Sequence, residues 1–123
     1  MSRVLIADDE ESMRTLVARA IAMDGHEIVT AQDGAEALDI LTRENGAFDL
    51  LLTDIQMPGR LDGVALARHL LQSRPDLPVV YVTGRPESLD RVERRGRAAY
   101  IRKPYSPSEV IAVVRDLLEA GDA

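Results

Sequence analysis

Short apolar runs and amphipathic segments alternate five times along the chain, and turn residues separate them. The first apolar run, Val4-Leu5-Ile6-Ala7, is followed by acidic residues and then by apolar side chains at positions 13, 16, 17, 20 and 21. That spacing places the second set on one face of a helix, and Gly25 is a typical helix end. The opening segment therefore predicts a strand followed by a helix.

The same order repeats along the rest of the chain. Further strands are predicted at His26–Ala31, Phe48–Thr53, Val79–Val82 and Ala98–Ile101. Helices are predicted after Asp33-Gly34, after the capping residue Asp62, from Pro86 to about Arg95, and after the capping-box pattern Ser106-Pro107-Ser108-Glu109. Phe48–Thr53 is the most apolar strand and is expected to be buried on both faces. Five such units predict an α/β fold with a parallel sheet between two layers of helices.

Length and composition exclude several classes of function. The 123 residues are enough for one domain, so residues 1–123 are expected to form a single domain with no output domain. A formal net charge of −6 argues against nucleic-acid binding. The absence of cysteine excludes disulfides and thiolate metal sites. No apolar run approaches 18 residues and no leader pattern is present, so we expect no membrane insertion and a cytoplasmic location.

Polar residues stand where four of the predicted strands end. Asp8-Asp9-Glu10-Glu11 follows the first strand, Asp54 the third, Thr83 the fourth, and Lys103 the fifth. Lys103 is the only lysine in a chain with fourteen arginines, which favours a need for its compact ammonium group. Because the functional crevice of an open α/β sheet lies beyond the carboxyl ends of its strands, we expect these side chains to converge.

Grouped carboxylates repel one another, so one would hold a proton unless a cation neutralised the group. Mg²⁺ suits such a site because it prefers oxygen ligands and binds through one or two carboxylates. An acid such as Asp54, directly after a buried strand, is costly without a partner. The pattern predicts that Asp54 attacks a phosphoryl group while Thr83 and Lys103 hold its oxygens.

Four segments resemble the receiver domain of two-component response regulators, and together they cover essentially the whole chain in order and spacing. They are Val4-Leu5-Ile6-Ala7-Asp8-Asp9-Glu10, Leu51-Leu52-Thr53-Asp54-Ile55-Gln56-Met57-Pro58, Val82-Thr83-Gly84 and Tyr100-Ile101-Arg102-Lys103-Pro104. Each motif alone is weakly specific, whereas the four together are specific. The resemblance implies a flavodoxin-like (βα)5 three-layer sandwich with sheet order 2-1-3-4-5.

The resemblance also implies how the acidic residues work. Asp54 would be the phosphoacceptor, and it would ligate Mg²⁺ together with Asp9 and the main-chain carbonyl of Gln56. Asp8 would act on the ion largely through water. A sensor histidine kinase or a phosphotransferase would donate the phosphoryl group, so the chain would be a signalling switch rather than an enzyme, apart from phosphorylating and dephosphorylating itself.

The resemblance also implies roles for three further residues in the response to phosphorylation. Thr83 and Lys103 would contact the phosphoryl group, and Tyr100 would change position on activation. The Lys103–Pro104 peptide is expected to be cis. The modified domain would then bind an unknown target protein, either as a monomer or as a phosphorylation-dependent dimer.

Two segments depart from the usual receiver pattern. Gly59-Arg60-Leu61-Asp62 makes one loop a residue longer than its commonest form, and Thr83 to Lys103 is short. The second departure predicts that the fourth helix is abbreviated or partly irregular. Gln56 and Arg85 would flank the path of the hydrolytic water, and their size predicts a long-lived phosphoryl group.

Other functions remain as alternatives. The chain is alternatively a receiver-like adaptor that acts without phosphorylation, or a receiver excised from a larger regulator or hybrid kinase. A phosphatase that forms an aspartyl-phosphate is disfavoured because Gln56 occupies the position of its second acid. Flavin binding is disfavoured because acids, which would repel a phosphate, follow the first strand.

Overall fold

The computed structural model describes residues 2–92 and 97–122. The strands in this part of the chain are β1 (Arg3–Ala7), β2 (Glu27–Ala31), β3 (Leu50–Asp54), β4 (Val79–Thr83) and β5 (Ala98–Arg102). The α-helices are α1 (Glu11–Met23), α2 (Gly34–Arg43), α3 (Gly63–Ser73) and α4 (Pro107–Asp122), and a 3-10 helix spans Pro86–Arg91. Within the described ranges, no helix has both the length and the apolar character to cross a bilayer.

The five strands form one parallel sheet in the order β2-β1-β3-β4-β5. Its registers pair Leu5 with Leu51 and Leu52 with Val80 across the two central ladders. The order reverses between the neighbouring strands β1 and β3. From β1 the chain continues to β2 on one side of the sheet, and from β3 it continues to β4 on the other side. The predicted α/β fold and its 2-1-3-4-5 order are confirmed.

Successive residues of β3 face opposite layers of helices, as the period of a strand requires. Leu51 packs in a core cluster with Leu66 of α3 and Ala37 of α2. Leu50 and Leu52 pack in the second cluster, which contains residues of α1 and α4 such as Val17 and Val110. The sheet therefore lies between α2 and α3 on one face and α1 and α4 on the other.

Side-chain caps begin the helices where the sequence predicted them. Asp33 accepts a hydrogen bond from the main-chain N–H of Glu36 (2.8 Å), and Asp62 accepts one from Ala65 (3.0 Å). Ser106 accepts from the N–H of Glu109 (3.3 Å), which is half of the predicted capping box. These bonds satisfy main-chain donors that have no partner within the helix.

Several boundaries differ from the prediction by a residue or two, and those of the third strand and the fourth helical segment bear on the site. The third strand begins at Leu50 rather than Phe48 and includes Asp54, because the N–H of Ile55 still donates to Val82 (2.9 Å) and extends the ladder. The fourth helical segment is a 3-10 helix that ends at Arg91, so its predicted shortening is confirmed. Its predicted end near Arg95 lies outside the described residues.

Candidate functional site

Three carboxylates meet at the carboxyl ends of β1 and β3. Each of Asp8, Asp9 and Asp54 offers an oxygen atom, and these atoms lie within 4.8 Å of one another. Asp8 and Asp54 are each only 3% exposed, whereas Asp9 is exposed. The N–H of Glu10 donates to Asp8 Oδ1 (2.9 Å) and fixes that carboxylate. The sequence predicted this convergence because the functional crevice of an open α/β sheet lies beyond the carboxyl ends of its strands, and the pairing of β1 with β3 brings the acids together.

The two buried acids are held in an environment that disfavours their charged forms. Burial raises the pKa of Asp8, and the negative charge of Asp54 adds to this effect although the N–H of Glu10 opposes it. Burial likewise raises the pKa of Asp54, and its hydrogen bond to Lys103 offsets this only in part. Added positive charge at this point would favour the ionised forms.

Lys103 brings an ammonium group to the same edge from the end of β5. Its Nζ lies 2.7 Å from Asp54 Oδ2, and its main-chain N–H donates to the carbonyl of Thr83 (2.9 Å). Burial lowers the pKa of Lys103, but the hydrogen bond and the charge of Asp54 outweigh it, so the net shift is upward. The following peptide to Pro104 is cis, as predicted.

Thr83 lies at the end of β4 on the same rim, but its hydroxyl is directed to Gln56 rather than to Asp54. Thr83 Oγ1 donates to Gln56 Oε1 (2.9 Å) or to the carbonyl of Arg85 (3.1 Å), and it accepts from the N–H of Arg85 (2.9 Å). The main-chain N–H of Gln56 donates to Asp54 Oδ1 (3.1 Å). The Gln56 carboxamide in turn donates to the hydroxyl of Ser88. No pattern in the sequence indicated this contact with Ser88.

Tyr100 lies on β5 and is paired with Tyr81 of β4. Its ring stacks on that of Tyr81, with centroids 5.8 Å apart and ring planes 15° apart. Tyr100 and Thr83 line a cavity of about 190 Å³ together with Leu89, Ile101 and Arg102. The cavity leaves room for side chains to rearrange between the end of β4 and β5.

Tyr105 is a site neighbour that the sequence reasoning missed. Its hydroxyl is buried and has no hydrogen-bond partner within the described ranges. Burial raises the pKa of Tyr105 to about 12, and the charges of Asp8 and Asp54 contribute to the rise. Its only sequence signal is its position directly after the Lys103-Pro104 pair.

The loop between β3 and α3 approaches the end of β3 very closely. A Cβ at Gly63 would lie 2.0 Å from the carbonyl oxygen of Asp54, so only glycine fits there. Asp62 both caps α3 and pairs with Arg91 of the 3-10 helix (2.7 Å). Gly59, in the lengthened part of the loop, has a positive φ of 95°, which favours glycine, and a side chain there would have open space around it.

Comparisons with known proteins agree with this geometry. The family model of the response regulator receiver domain matches residues 4–115. The chain is 36% identical over 118 residues to response regulator MprA of Mycobacterium sp. (strain KMS), covering 94% of this chain and 50% of MprA. It is 34% identical to the alkaline phosphatase synthesis transcriptional regulatory protein PhoP of Bacillus subtilis, covering 98% and 50%. The chain thus spans about half the length of these curated relatives.

A solved structure gives the same result. The receiver domain of NtrX from Brucella abortus superposes with a TM-score of 0.83 at 37% identity, covering 94% of this chain and 98% of that one. The match to the family model extends from β1 into α4 and includes the three carboxylates, Thr83 and Lys103. The chain therefore belongs to the response regulator receiver domain family.

Proposed function

We propose that this receiver domain is a phosphorylation-dependent switch in which Asp54 accepts a phosphoryl group in a Mg²⁺-dependent reaction. The observation that carries the proposal is the buried Asp54 carboxylate, which contacts the Lys103 ammonium and adjoins Asp8 and Asp9. Receiver domains belong to signalling proteins of two-component systems rather than to conventional enzymes, and they interact with histidine kinases and downstream effectors.

The residues at the acidic cluster fit a hard divalent cation. All of their donor atoms are oxygens, and burial disfavours two of the three negative charges unless positive charge is added. Asp9, Asp54 and the carbonyl of Gln56 would hold Mg²⁺, with Asp8 acting largely through water. When bound, Mg²⁺ would supply charge neutralisation for the phosphoryl oxygens.

The transfer step follows from the surroundings of Asp54. A carboxylate oxygen of Asp54 attacks the phosphorus, and the P–N bond of a donor phosphohistidine breaks, with its electron pair returning to the imidazole nitrogen. Lys103 already lies 2.7 Å from one carboxylate oxygen, so its ammonium is close enough to stabilise the negative oxygens of the incoming group. A histidine kinase or phosphotransferase is the proposed donor.

The proposed response is a population shift in the region of Thr83 and Tyr100. Thr83 would turn its hydroxyl toward a phosphoryl oxygen, and Tyr100 would move into the space that becomes available. The cavity of about 190 Å³ that both residues line supports this part of the proposal. Recognition of a separate target protein, the oligomeric state and slow hydrolysis remain predictions from the sequence.

The test is incubation with a small phosphodonor such as acetyl phosphate, with Mg²⁺ or with a chelator, followed by intact mass measurement. The wild-type protein should gain one phosphoryl group only with Mg²⁺, and Asp54→Asn should gain none. Asp39→Asn, an exposed change on α2, is the matched control and should be modified like the wild type. Equal modification of Asp54→Asn, or none of the wild type, would contradict the proposal.

A further inference from the structure

The Gln56 side chain joins three parts of the molecule. It follows β3, its Oε1 accepts the hydroxyl hydrogen of Thr83 at the end of β4 (2.9 Å), and its Nε2 donates to Ser88 of the 3-10 helix. Ser88 is 8% exposed, so water has little access to compete for its hydroxyl. The carboxamide is thus held at both ends by partners far from it in sequence.

The hydroxyl of Thr83 has one hydrogen atom to donate. In this structure its acceptors are Gln56 Oε1 and the carbonyl of Arg85, while the N–H of Arg85 occupies the hydroxyl oxygen as a donor. A phosphoryl oxygen on Asp54 is an acceptor only, so it can be bound by Thr83 only with that same hydrogen. Gln56 and a phosphoryl group on Asp54 would therefore compete for it.

The loop that carries Gln56 contacts the 3-10 helix a second time. Asp62 Oδ2 lies 2.7 Å from Arg91 at the end of that helix. The helix is therefore connected to the β3–α3 loop through Ser88 and through Arg91. If Gln56 changed its hydrogen-bond partners, the 3-10 helix would lose one of these two contacts with the loop.

We propose that the Gln56 carboxamide is a positioning residue that holds the Thr83 hydroxyl and the 3-10 helix in the unphosphorylated arrangement and so opposes phosphorylation of Asp54. This inference rests on the proposed function of Asp54. Its physical content is the acceptor role of Gln56 Oε1, which together with the carbonyl of Arg85 must give up the Thr83 hydrogen before the phosphoryl group can accept it. The bond lowers the population of the phosphorylated arrangement without any contact between the Gln56 side chain and the reacting atoms.

The test is a titration with beryllofluoride, a mimic of the phosphoryl group, at saturating Mg²⁺, followed by NMR. Gln56→Met keeps the side-chain length and the main-chain carbonyl but loses both hydrogen bonds, so it should bind beryllofluoride about two- to tenfold more tightly than the wild type. Ser88→Ala keeps the Thr83 bond and should tighten binding less. Gln72→Met, exposed on α3, is the matched control and should bind like the wild type. Unchanged or weaker binding by Gln56→Met would overturn the inference.

A second measurement separates this inference from the proposed function. The unfolding free energies of Gln56→Met, Thr83→Val and the double variant, without Mg²⁺ or beryllofluoride, form a double-mutant cycle. We expect a favourable coupling free energy between the Gln56 and Thr83 side chains. Additive effects of the two substitutions on the unfolding free energy would show that Gln56 does not hold Thr83, whether or not Asp54 is phosphorylated. If coupling is present but the wild type binds no beryllofluoride, the proposed function fails, and with it the opposition to phosphorylation.

Discussion

The acidic cluster should cost folding stability when no cation is bound, and Asp8→Asn isolates that cost. Asparagine keeps the Oδ1 atom that accepts the N–H of Glu10, so the local hydrogen bond survives the change. What disappears is one negative charge from a set of three carboxylates, two of which are buried. We therefore expect Asp8→Asn to be more stable than the wild type in the presence of a chelator.

The size of the effect follows from the distances. Two unit charges separated by 4.8 Å, the outer limit of the cluster, repel by about 3.5 kcal/mol at an effective dielectric constant of about 20. Lys103 offsets part of this repulsion, because its ammonium also attracts Asp8. The free energy of unfolding of Asp8→Asn should accordingly exceed that of the wild type by about 1–3 kcal/mol at neutral pH.

The pH dependence has a definite sign. The pKa of Asp8 is raised in the folded protein, so its ionised form costs stability above the folded pKa, and this cost disappears as the pH falls through that value. The advantage of Asp8→Asn should therefore shrink on acidification. Urea denaturation followed by circular dichroism, between neutral pH and about pH 4, measures this.

Two further arms of this experiment test the reasoning. Mg²⁺ should stabilise the wild type more than Asp8→Asn, because the variant has lost a charge that favours the ion. Asp39→Asn is the charge-matched control, and because Asp39 is exposed its effect should stay within about 0.5 kcal/mol. An Asp8→Asn protein that is no more stable than the wild type in chelator at neutral pH would refute the argument.

Three other predictions concern the packing at Gly63, the cap of α3 and the ion pair between Asp24 and Arg115. Gly63→Ala should destabilise the protein by about 1–3 kcal/mol in urea denaturation, because the new Cβ meets a main-chain oxygen at 2.0 Å. Gly84→Ala, whose Cβ has its nearest contact at 3.9 Å, should change stability by less than about 0.5 kcal/mol. Asp62→Ala removes the cap of α3 and should cost about 1 kcal/mol in the same assay, whereas no loss would contradict the capping role. In Arg115→Gln, NMR titration should show the pKa of Asp24 rising toward its usual value, because the hydrogen bond from Arg115 lowers it; stability at acidic pH should then change less as Asp24 is protonated.

The sequence predicted the architecture because each unit of this fold carries its own signals. Apolar runs marked the strands, Asp33 and Asp62 marked helix starts, and parallel pairing then determined which strand ends would lie together. That last step is why Asp8, Asp9 and Asp54 could be placed at one edge without any coordinates. The patterns predicted five parallel βα units, whereas the strand order 2-1-3-4-5 was predicted from the resemblance to receiver domains.

The side-chain contacts of Gln56 could not be predicted in the same way. Its partner Ser88 is 32 residues away and lies in a short 3-10 helix, whose pattern does not indicate which side chains face the sheet end. Tyr105 was missed for a similar reason, because an aromatic residue after a strand is ordinarily a packing residue. Both cases depend on rotamers and on loop geometry, which follow from the packing of the whole domain.

The alternation of leucines in β3 limits how a structural change at Asp54 could reach the rest of the molecule. If β3 moved along its axis by one residue, Leu51 would exchange layers with its neighbours Leu50 and Leu52, and both halves of the interior would have to be rebuilt. The register of β3 is therefore expected to stay the same in any rearrangement of the domain. Rearrangements that start at Asp54 must pass through the connections that leave the strand tips, while the strands themselves stay in place.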